Sequence, residues 1–96
     1  MKIWEKEILN KFAIKHASIS NSLQYWIEFV EEADWKSHNE IKRDFPSADY
    51  IGNGQYVFNI QGNNFRVVAN VVFASGILKI RYIGTHADYD KKSKII

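Results

Sequence analysis

The hydrophobic pattern of this chain changes period once, near residue 55, and that change limits the folds open to it. Before residue 55, apolar residues recur at spacings of three and four, which is typical of amphipathic helices. After it, apolar and polar residues alternate, and β-branched and aromatic residues become frequent, which is typical of strands. Helices therefore come first and a sheet follows, and the apolar face of that sheet must pack on the helices.

Length and composition narrow the class of protein. The 96 residues, 46% of them hydrophobic, suit a single domain spanning residues 1–96 and are too few for two. No apolar run approaches the roughly 20 residues that a membrane helix needs, and no secretory leader is recognisable, so we expect a cytoplasmic protein without membrane contact. Cysteine is absent, which excludes disulfides, thiolate zinc sites and a cysteine nucleophile.

The net positive charge lies in the second half of the chain. Residues 1–48 carry 7 basic and 8 acidic side chains, whereas residues 49–96 carry 6 basic and 3 acidic ones. No carboxylate side chain lies between Asp49 and Asp88, so the cations of that stretch have no partner nearby in the sequence. This distribution favours an anionic partner.

The first half of the chain predicts a short strand at residues 1–3 and three helices. Trp4, Ile8 and Phe12 follow one another at helical spacing and indicate the first helix. The second helix ends near Ala33 and has a serine as its N-cap. All three tryptophans adjoin helical stripes, which favours anchoring in the core or in an interface over stacking on a base. The apolar stripe of the second helix consists of Leu23, Trp26, Ile27 and Val30, and its two candidate caps are Ser18 and Ser20.

A brief third helix is predicted from His38 to about Asp44. The sequence Ser37-His-Asn-Glu40 matches a capping box. In such a box the serine hydroxyl and the glutamate carboxylate each accept a hydrogen bond from a free backbone N–H at the helix start. Pro46 then ends the helix, because the residue before a proline avoids helical geometry.

Three strands in a meander are predicted for the second half. Two-residue breaks, Gly62-Asn63 and Ser75-Gly76, separate the strands. A turn at residues 52–54 precedes the first of them. The strands span residues 55–61, 64–74 and 77–83.

Two-residue loops at both breaks would fix which strand residues oppose each other. Asn59 would lie opposite Arg66, and Asn70 opposite Arg81. One face of the sheet, including Tyr82, would then be almost wholly apolar and would pack on the helices. The other face is a mixed surface that suits binding of an anionic ligand. It would carry Asn59, Arg66, Asn70, Lys79 and Arg81 among Val57, Val68, Val72 and Ile83.

The same register predicts a cluster of polar groups just after the last strand. Thr85 would lie opposite Arg66, so that a helix with a cap-like opening begins beside that guanidinium. His86, Tyr89 and Asp90 would share one side of this helix, because they stand at i, i+3 and i+4. An imidazole, a phenol and a carboxylate would then converge near a fixed cation.

This set of groups suits cleavage of RNA without a metal ion. The reaction needs a proton taken from the 2′-OH, negative charge held at phosphorus and a proton given to the 5′ oxygen. Guanidinium groups such as those of Arg66 and Arg81 bind phosphate oxygens with forked donors. Histidine and tyrosine side chains serve proton transfer, nucleophile positioning or base stacking, and Asp90 would orient His86. The candidate RNA contacts are Asn59, Asn70, Lys79, Lys91 and Lys92.

Each candidate also has a purely structural interpretation. A lone strand arginine is often solvated or ion-paired, and a histidine at a helix start is often a surface residue. In the same interpretation Tyr89 packs its ring on the sheet, and Asp90 is a solvated charge in a helix. His16 and His38 have no partners at metal-ligand spacing, so we expect neither a metal site nor a cofactor.

Two segments of the second half together resemble a known family. YVFNIQGNNFRVVANVVF at residues 56–73 and IRYIGTHADYDK at residues 80–91 contain the elements VFNI-x-GN-x-x-R and IR-x-x-GTH-x-x-YD in order. They resemble the signature of HigB-type toxins, a branch of the RelE-like ribonuclease toxins of bacterial toxin–antitoxin systems. Residues 33–51, ADWKSHNEIKRDFPSADYI, and the helical first half are also similar, so the likeness covers nearly the whole chain.

The resemblance implies a RelE-like α+β fold, with two N-terminal helices and a short third helix on one face of an antiparallel sheet, and a short C-terminal helix. It also implies mRNA cleavage, commonly on translating ribosomes, and a HigA-type antitoxin with a helix-turn-helix domain. Candidates for RNA binding or cleavage follow from the motifs. Arg66 and Arg81 fall on the motif arginines, and His86, Tyr89 and Asp90 fall on the GTH-x-x-YD element.

Two other functions remain open from the sequence. A non-catalytic RNA- or protein-binding module on the same fold would hold phosphate with the two arginines and do no chemistry at His86. A metal-dependent nuclease is disfavoured, because the chain lacks a cluster of carboxylates in its sequence. Arrested growth that is relieved in folded Arg66→Ala or His86→Ala variants would favour the ribonuclease.

Overall fold

The period change near residue 55 separates the helices from most of the sheet. The computed structural model describes residues 1–62 and 64–89, and residues 86–89 form a helical turn. The helices are α1 (Lys6–Lys15), α2 (Ser20–Glu32) and α3 (His38–Asp44). The strands are β1 (Lys2–Trp4), β2 (Asp49–Gly52), β3 (Gln55–Ile60), β4 (Phe65–Val72) and β5 (Ile77–Thr85). The α+β class predicted from the resemblance is confirmed.

All five strands form one mixed sheet, in the order β1-β5-β4-β3-β2. The predicted meander of β3, β4 and β5 and the short first strand are confirmed. The sheet is not wholly antiparallel, because β1 runs parallel to β5. The strand β2 was not predicted, since four residues are too few to show an alternating pattern. It pairs antiparallel with β3, with Asp49 opposite Val57 and Tyr50 opposite Tyr56.

Aromatic side chains fill the space between the helices and the sheet. Trp26 of α2 and Trp35 are 2% and 1% exposed. Their rings lie 5.3 and 6.3 Å from the ring of Phe58 in β3, and Phe45 lies 5.5 Å from the same ring. Within residues 1–62 and 64–89, no polar or charged residue is buried. The core is therefore held by apolar burial, which contributes about 1.5–3 kcal/mol for each large side chain.

The first helix begins later than the hydrophobic spacing predicts. Trp4 pairs with Lys79 of β5 and belongs to β1. Glu5, at φ 66°, turns the chain between this strand and α1. Core anchoring is confirmed for Trp26 and Trp35, but Trp4 is 46% exposed.

The predicted N-cap of α2 is wrong, and the N-cap of α3 is Ser37, as predicted, but without the predicted side-chain bond among the described residues. The turn Ala17–Ile19 is a 3₁₀ helix that leads directly into α2, which within the described chain has no side-chain cap. In α3, Ser37 makes no capping bond with any described residue, while Glu40 Oε2 accepts a 2.6 Å bond from the N–H of Lys36. The bounds of α3 are as predicted. No helix of the described residues has the length and apolar character that a membrane span requires.

The hairpin of β3 and β4 has the predicted register. Asn59 pairs with Arg66, and Ile60 pairs with Phe65. The turn uses left-handed backbone at Gln61, at φ 54°, and at Gly62, at φ 67°. Such conformations are typical of tight hairpin turns and favour glycine.

The hairpin of β4 and β5 has a longer loop than predicted. Its strands end at Val72 and begin again at Ile77, so the loop spans residues 73–76. Asn70 therefore pairs with Lys79 and not with Arg81. A shift by two residues keeps every side chain on its predicted face.

A β-bulge then changes the faces in the second half of β5. Pairing shifts by one residue between Val68 and Ala69, and Arg81 is left without a partner on β4. Tyr82, predicted for the core, moves to the face of Arg66, and Ile83 moves into the core. Arg66 lies opposite Gly84, one residue before the predicted partner.

Candidate active site

One face of the sheet carries the candidate residues, and we call it the Arg66 face. On β4 it comprises Arg66, Val68, Asn70 and Val72, because alternate residues of a strand share a face. The other face packs on the helices through the apolar core. Cross-strand partners of these residues complete the Arg66 face. Asn59 and Gly84 lie beside Arg66, Val57 and Tyr82 beside Val68, Gln55 and Lys79 beside Asn70, and Trp4 beside Lys79.

Arg66 meets the helical turn that follows β5. Its Cζ lies 5.2 Å from the centre of the Tyr89 ring, which is within the range of a cation–π contact. The side chain is half-buried, and its Nε has no hydrogen-bond partner among the described residues. Within residues 1–62 and 64–89, the guanidinium thus lies against an aromatic ring.

Thr85 starts the helical turn, as its cap-like sequence predicts. Its Oγ1 accepts a 3.1 Å hydrogen bond from the N–H of Asp88. The N–H of His86 donates a 3.0 Å bond to the carbonyl of Asn64, in the turn before β4. This second bond ties the helical turn to the strand end that carries Arg66. The fold therefore delivers His86 to the same corner of the sheet.

Tyr82 is a residue of the Arg66 face that sequence reasoning placed in the core. Its ring lies across Gly84, since a Cβ at position 84 would stand 2.6 Å from Tyr82 Cζ. Burial and, secondly, the nearby carboxylate of Asp88 raise the pKa of Tyr82. A glycine two residues after an aromatic residue in a strand was the available signal.

The other described candidates, Asn59, Asn70, Lys79 and Arg81, lie at different positions along strands β3, β4 and β5. Asn59 donates from Nδ2 to the carbonyl of Ser47 at 3.1 Å, so part of its amide supports the connection between α3 and β2. Asn70 and Lys79 face each other and are half-buried. Arg81 is exposed at the bulge. Asn59 is thus the direct strand neighbour of Arg66, whereas Asn70, with its partner Lys79, lies four residues further along β4.

Three candidates fall on positions that the structure does not describe. Asp90, Lys91 and Lys92 lie outside the described residues. Their assignment as an orienting carboxylate and as RNA contacts stays a prediction from the sequence.

The two other histidines make ring contacts with helix and core residues. His16 stacks on Phe12 with ring centres 4.1 Å apart. Nδ1 of His38 lies 2.8 Å from the hydroxyl of Tyr56. Among residues 1–62 and 64–89, no group of three or more histidines or acidic residues is placed to hold a metal ion.

Comparison with known families identifies the family of this chain. A model of the HigB_toxin family, described as the RelE-like toxic component of a toxin-antitoxin system, matches residues 19–92. The chain belongs to the HigB toxin family. The match spans the two helices α2 and α3, the four strands β2 to β5 and the helical turn, so it includes every residue of the candidate site.

Individual HigB relatives are moderately similar in sequence. The mRNA interferase HigB of Escherichia coli O6:H1 is 29% identical over 96 residues, which cover 98% of this chain and 93% of the relative. The mRNA interferase toxin HigB of Escherichia coli K12 is 44% identical over 64 residues, which cover 64% of this chain and 61% of the relative. The mRNA interferase HigB of Shigella flexneri gives the same values.

Proposed function

We propose that this HigB-type toxin is an endoribonuclease that cleaves mRNA at the corner formed by Arg66, His86 and Tyr89. Its family is that of the toxic components of toxin–antitoxin systems, and the relatives named above are mRNA interferases. The observation that carries the assignment of the site is the position of the Arg66 guanidinium. It lies 5.2 Å from the Tyr89 ring, at the end of the sheet where the turn of His86 begins.

The proposed chemistry is attack by the 2′-hydroxyl of the RNA on the adjacent phosphorus. A base removes the 2′-OH proton as the new bond to phosphorus forms, and an acid protonates the 5′ oxygen as its bond to phosphorus breaks. Arg66 stabilises the extra negative charge on the phosphate oxygens. His86 and Tyr89 are the groups for the two proton transfers, and Asp90 orients His86. These groups complete the reaction without a metal ion.

We assign the positioning of the RNA in part to the ribosome. The formal net charge of the whole chain is only +2, and few phosphate contacts give weak, strongly salt-dependent binding. Arg81, Lys79 and Asn70 supply additional contacts on or beside the Arg66 face. A substrate held by the ribosome would then meet the site at high local concentration.

The partner that we propose is a HigA-type antitoxin with a helix-turn-helix domain. In the toxin–antitoxin complex the cationic face must be inhibited, and acidic or apolar segments of the antitoxin suit contact with such a face. Translated mRNA and ribosomes occur in the cytoplasm, and we therefore place the action of this toxin there.

Cleavage of an mRNA by the purified protein, with and without ribosomes, tests the site. Arg66→Lys keeps the charge but loses the forked donor, and we expect kcat to fall by about 10²–10³. His86→Ala removes a proton-transfer group, and we expect a fall of about 10²–10⁴. Arg43→Lys and His38→Gln, in α3, are the matched controls and should cleave at the wild-type rate. Thermal unfolding must show that all four variants are folded.

Three outcomes would contradict parts of the proposal. Unchanged cleavage by folded Arg66→Lys and His86→Ala variants would refute the site. Cleavage of free mRNA, without ribosomes, that is abolished by EDTA would favour the metal-dependent nuclease. Wild-type protein that binds RNA but never cleaves it would favour the non-catalytic binding module.

A further inference from the structure

The three tryptophans of the chain have very different surroundings. Trp26 and Trp35 are 2% and 1% exposed, whereas Trp4 is 46% exposed. Trp4 stands in β1 directly beside Lys79 of β5, so both side chains lie on the Arg66 face. The core does not account for this exposed ring, because Ile3, the residue before it, points to the core in its place.

The strands around Trp4 carry basic and almost no acidic residues. Lys2 lies on the same face of β1, Lys79 is the direct neighbour of Trp4, and Arg81 is exposed at the bulge. In the five described strands the only acidic residue is Asp49, which is on β2 at the opposite edge of the sheet. An exposed aromatic ring between cations fits a single-stranded nucleic acid, which offers unpaired bases and phosphates together.

Trp4 and Lys79 share their face with the candidate active site. Asn70, the partner of Lys79, stands four residues after Arg66 on β4, which corresponds to about 13 Å along the strand. Trp4 lies on the second strand over, at the edge of the sheet. A single strand of about four nucleotides, at the lower end of known site sizes, is long enough to connect the two places.

We propose that Trp4 and Lys79 form a second RNA-binding position, in which the Trp4 ring stacks on an unpaired base and Lys79 contacts a neighbouring phosphate. The inference rests on the proposed function, because it places the phosphate to be cleaved at Arg66 on the same RNA strand. Stacking on an aromatic ring tolerates every base. The second position therefore sets the path of the strand, from the Arg66 corner to the β1 edge, without selecting a sequence.

Intrinsic fluorescence tests this position, because Trp4 is the tryptophan that solvent and RNA can reach. We expect a single-stranded RNA of about eight nucleotides to quench its emission and a dinucleotide to leave it unchanged. The RNA is 2′-O-methylated throughout, which blocks attack by the 2′-OH and isolates binding from cleavage. Trp4→Phe should lose the signal and keep most of the affinity, whereas Trp4→Ala should raise Kd about 5- to 100-fold.

Matched variants separate stacking from charge and from folding. Tyr25→Ala removes an exposed aromatic ring of α2 and should leave Kd unchanged. Lys79→Ala should flatten the slope of log Kd against log salt by about 0.7, the value for one phosphate of a single strand. Lys15→Ala, in α1, should leave that slope unchanged. Trp4→Thr keeps a strand-forming residue and replaces Trp4→Ala if the alanine variant does not fold.

The outcomes distinguish failure of the second RNA-binding position from failure of the proposed function. Binding of RNA without quenching of Trp4, or an unchanged Kd in folded Trp4→Ala or Trp4→Thr, overturns the second position even if the protein cleaves mRNA. Quenching by an antitoxin protein but not by RNA also overturns it and makes this face a protein interface. Quenching by RNA in a protein that cleaves no mRNA supports the second position and refutes the proposed function.

Discussion

The two faces of the sheet are built from alternate residues of the same strands, yet their side chains differ in kind. The core face buries rings such as Phe58 and aliphatic groups such as Leu78 against the helices. The Arg66 face mixes buried valines with half-buried Arg66 and Lys79 and the exposed Trp4. We therefore expect that substitutions on the core face mainly change stability and that substitutions on the Arg66 face mainly change activity.

The largest expected effect is on the core face, at Phe58. Its ring contacts the rings of Trp26, Trp35 and Phe45, and its exposure is 1%. Phe58→Ala should lower the free energy of unfolding by about 3–5 kcal/mol, because it removes apolar burial and leaves a cavity. Urea denaturation measures this change.

The same variant also tests whether the core face affects activity. Cleavage per folded molecule should stay near the wild-type value, and its loss in a folded sample would show that the core controls the site. Ile14→Ala is the control, since Ile14 is apolar but 82% exposed. Its unfolding free energy should change by less than about 0.5 kcal/mol.

An intermediate effect is expected on the Arg66 face, at Gly84. A Cβ at this position would stand 2.6 Å from Tyr82 Cζ, so Gly84→Ala must displace the end of the Tyr82 side chain. Displacing a group in a positioned site can cost up to about 100-fold in rate. We expect kcat to fall by about 10-fold or more, while the unfolding free energy changes by about 1 kcal/mol.

A double-mutant cycle sharpens this prediction. In the background Tyr82→Ala, the change Gly84→Ala should have almost no further effect on kcat, because the clash is gone. Equal effects of Gly84→Ala in both backgrounds would show that the alanine acts on the backbone of β5 and not through Tyr82. Cleavage rates of the four proteins under single-turnover conditions provide the measurement.

The smallest expected effect concerns pH dependence on the helix side. Asp44 Oδ2 accepts a 2.9 Å bond from the indole N–H of buried Trp35. Hydrogen bonds from Arg43 and from Trp35 lower the pKa of Asp44. A lowered folded pKa stabilises the fold above the pKa of the unfolded chain, and this contribution disappears as the pH falls through the folded pKa.

Asp44→Asn tests that contribution. The stability difference between wild type and variant should be larger near pH 7 than near pH 3, because pH 3 lies below the ordinary carboxyl pKa of about 3.9 that applies to the unfolded chain. A difference that is constant with pH would contradict the assignment. Cleavage should be unaffected at neutral pH, because Asp44 lies on the helix layer and not on the Arg66 face.

Local patterns in the sequence predicted most elements of the fold. The spacing of apolar residues gave α2 and α3, and the alternation of residues gave β3, β4 and β5. Tight turns gave the register of the first hairpin, where Asn59 opposes Arg66. The strand β2 and the true position of Trp4 were missed, because both depend on pairing with a strand far away in the sequence.

For the candidate site, the sequence proposed residues and the structure shows how they are arranged. Motif residues named Arg66, His86 and Tyr89, and the contact between Arg66 and Tyr89 agrees with the expected convergence. The bulge beside Arg81 was not predictable from alternation, since one extra residue leaves the pattern of apolar residues nearly unchanged. That bulge brought Tyr82 onto the Arg66 face and left Arg81 without a strand partner.

The order of helices before strands and the family motifs can be recognised in the chain directly, because they depend on local periodicity and on residues close together in it. The parallel pairing of β1 with β5, the bulge and the exposure of Trp4 beside Lys79 become apparent only in the folded molecule. Such features depend on which distant segments pair. The free energy of this pairing comes from contacts across the whole sheet, so no single segment of the sequence reveals it.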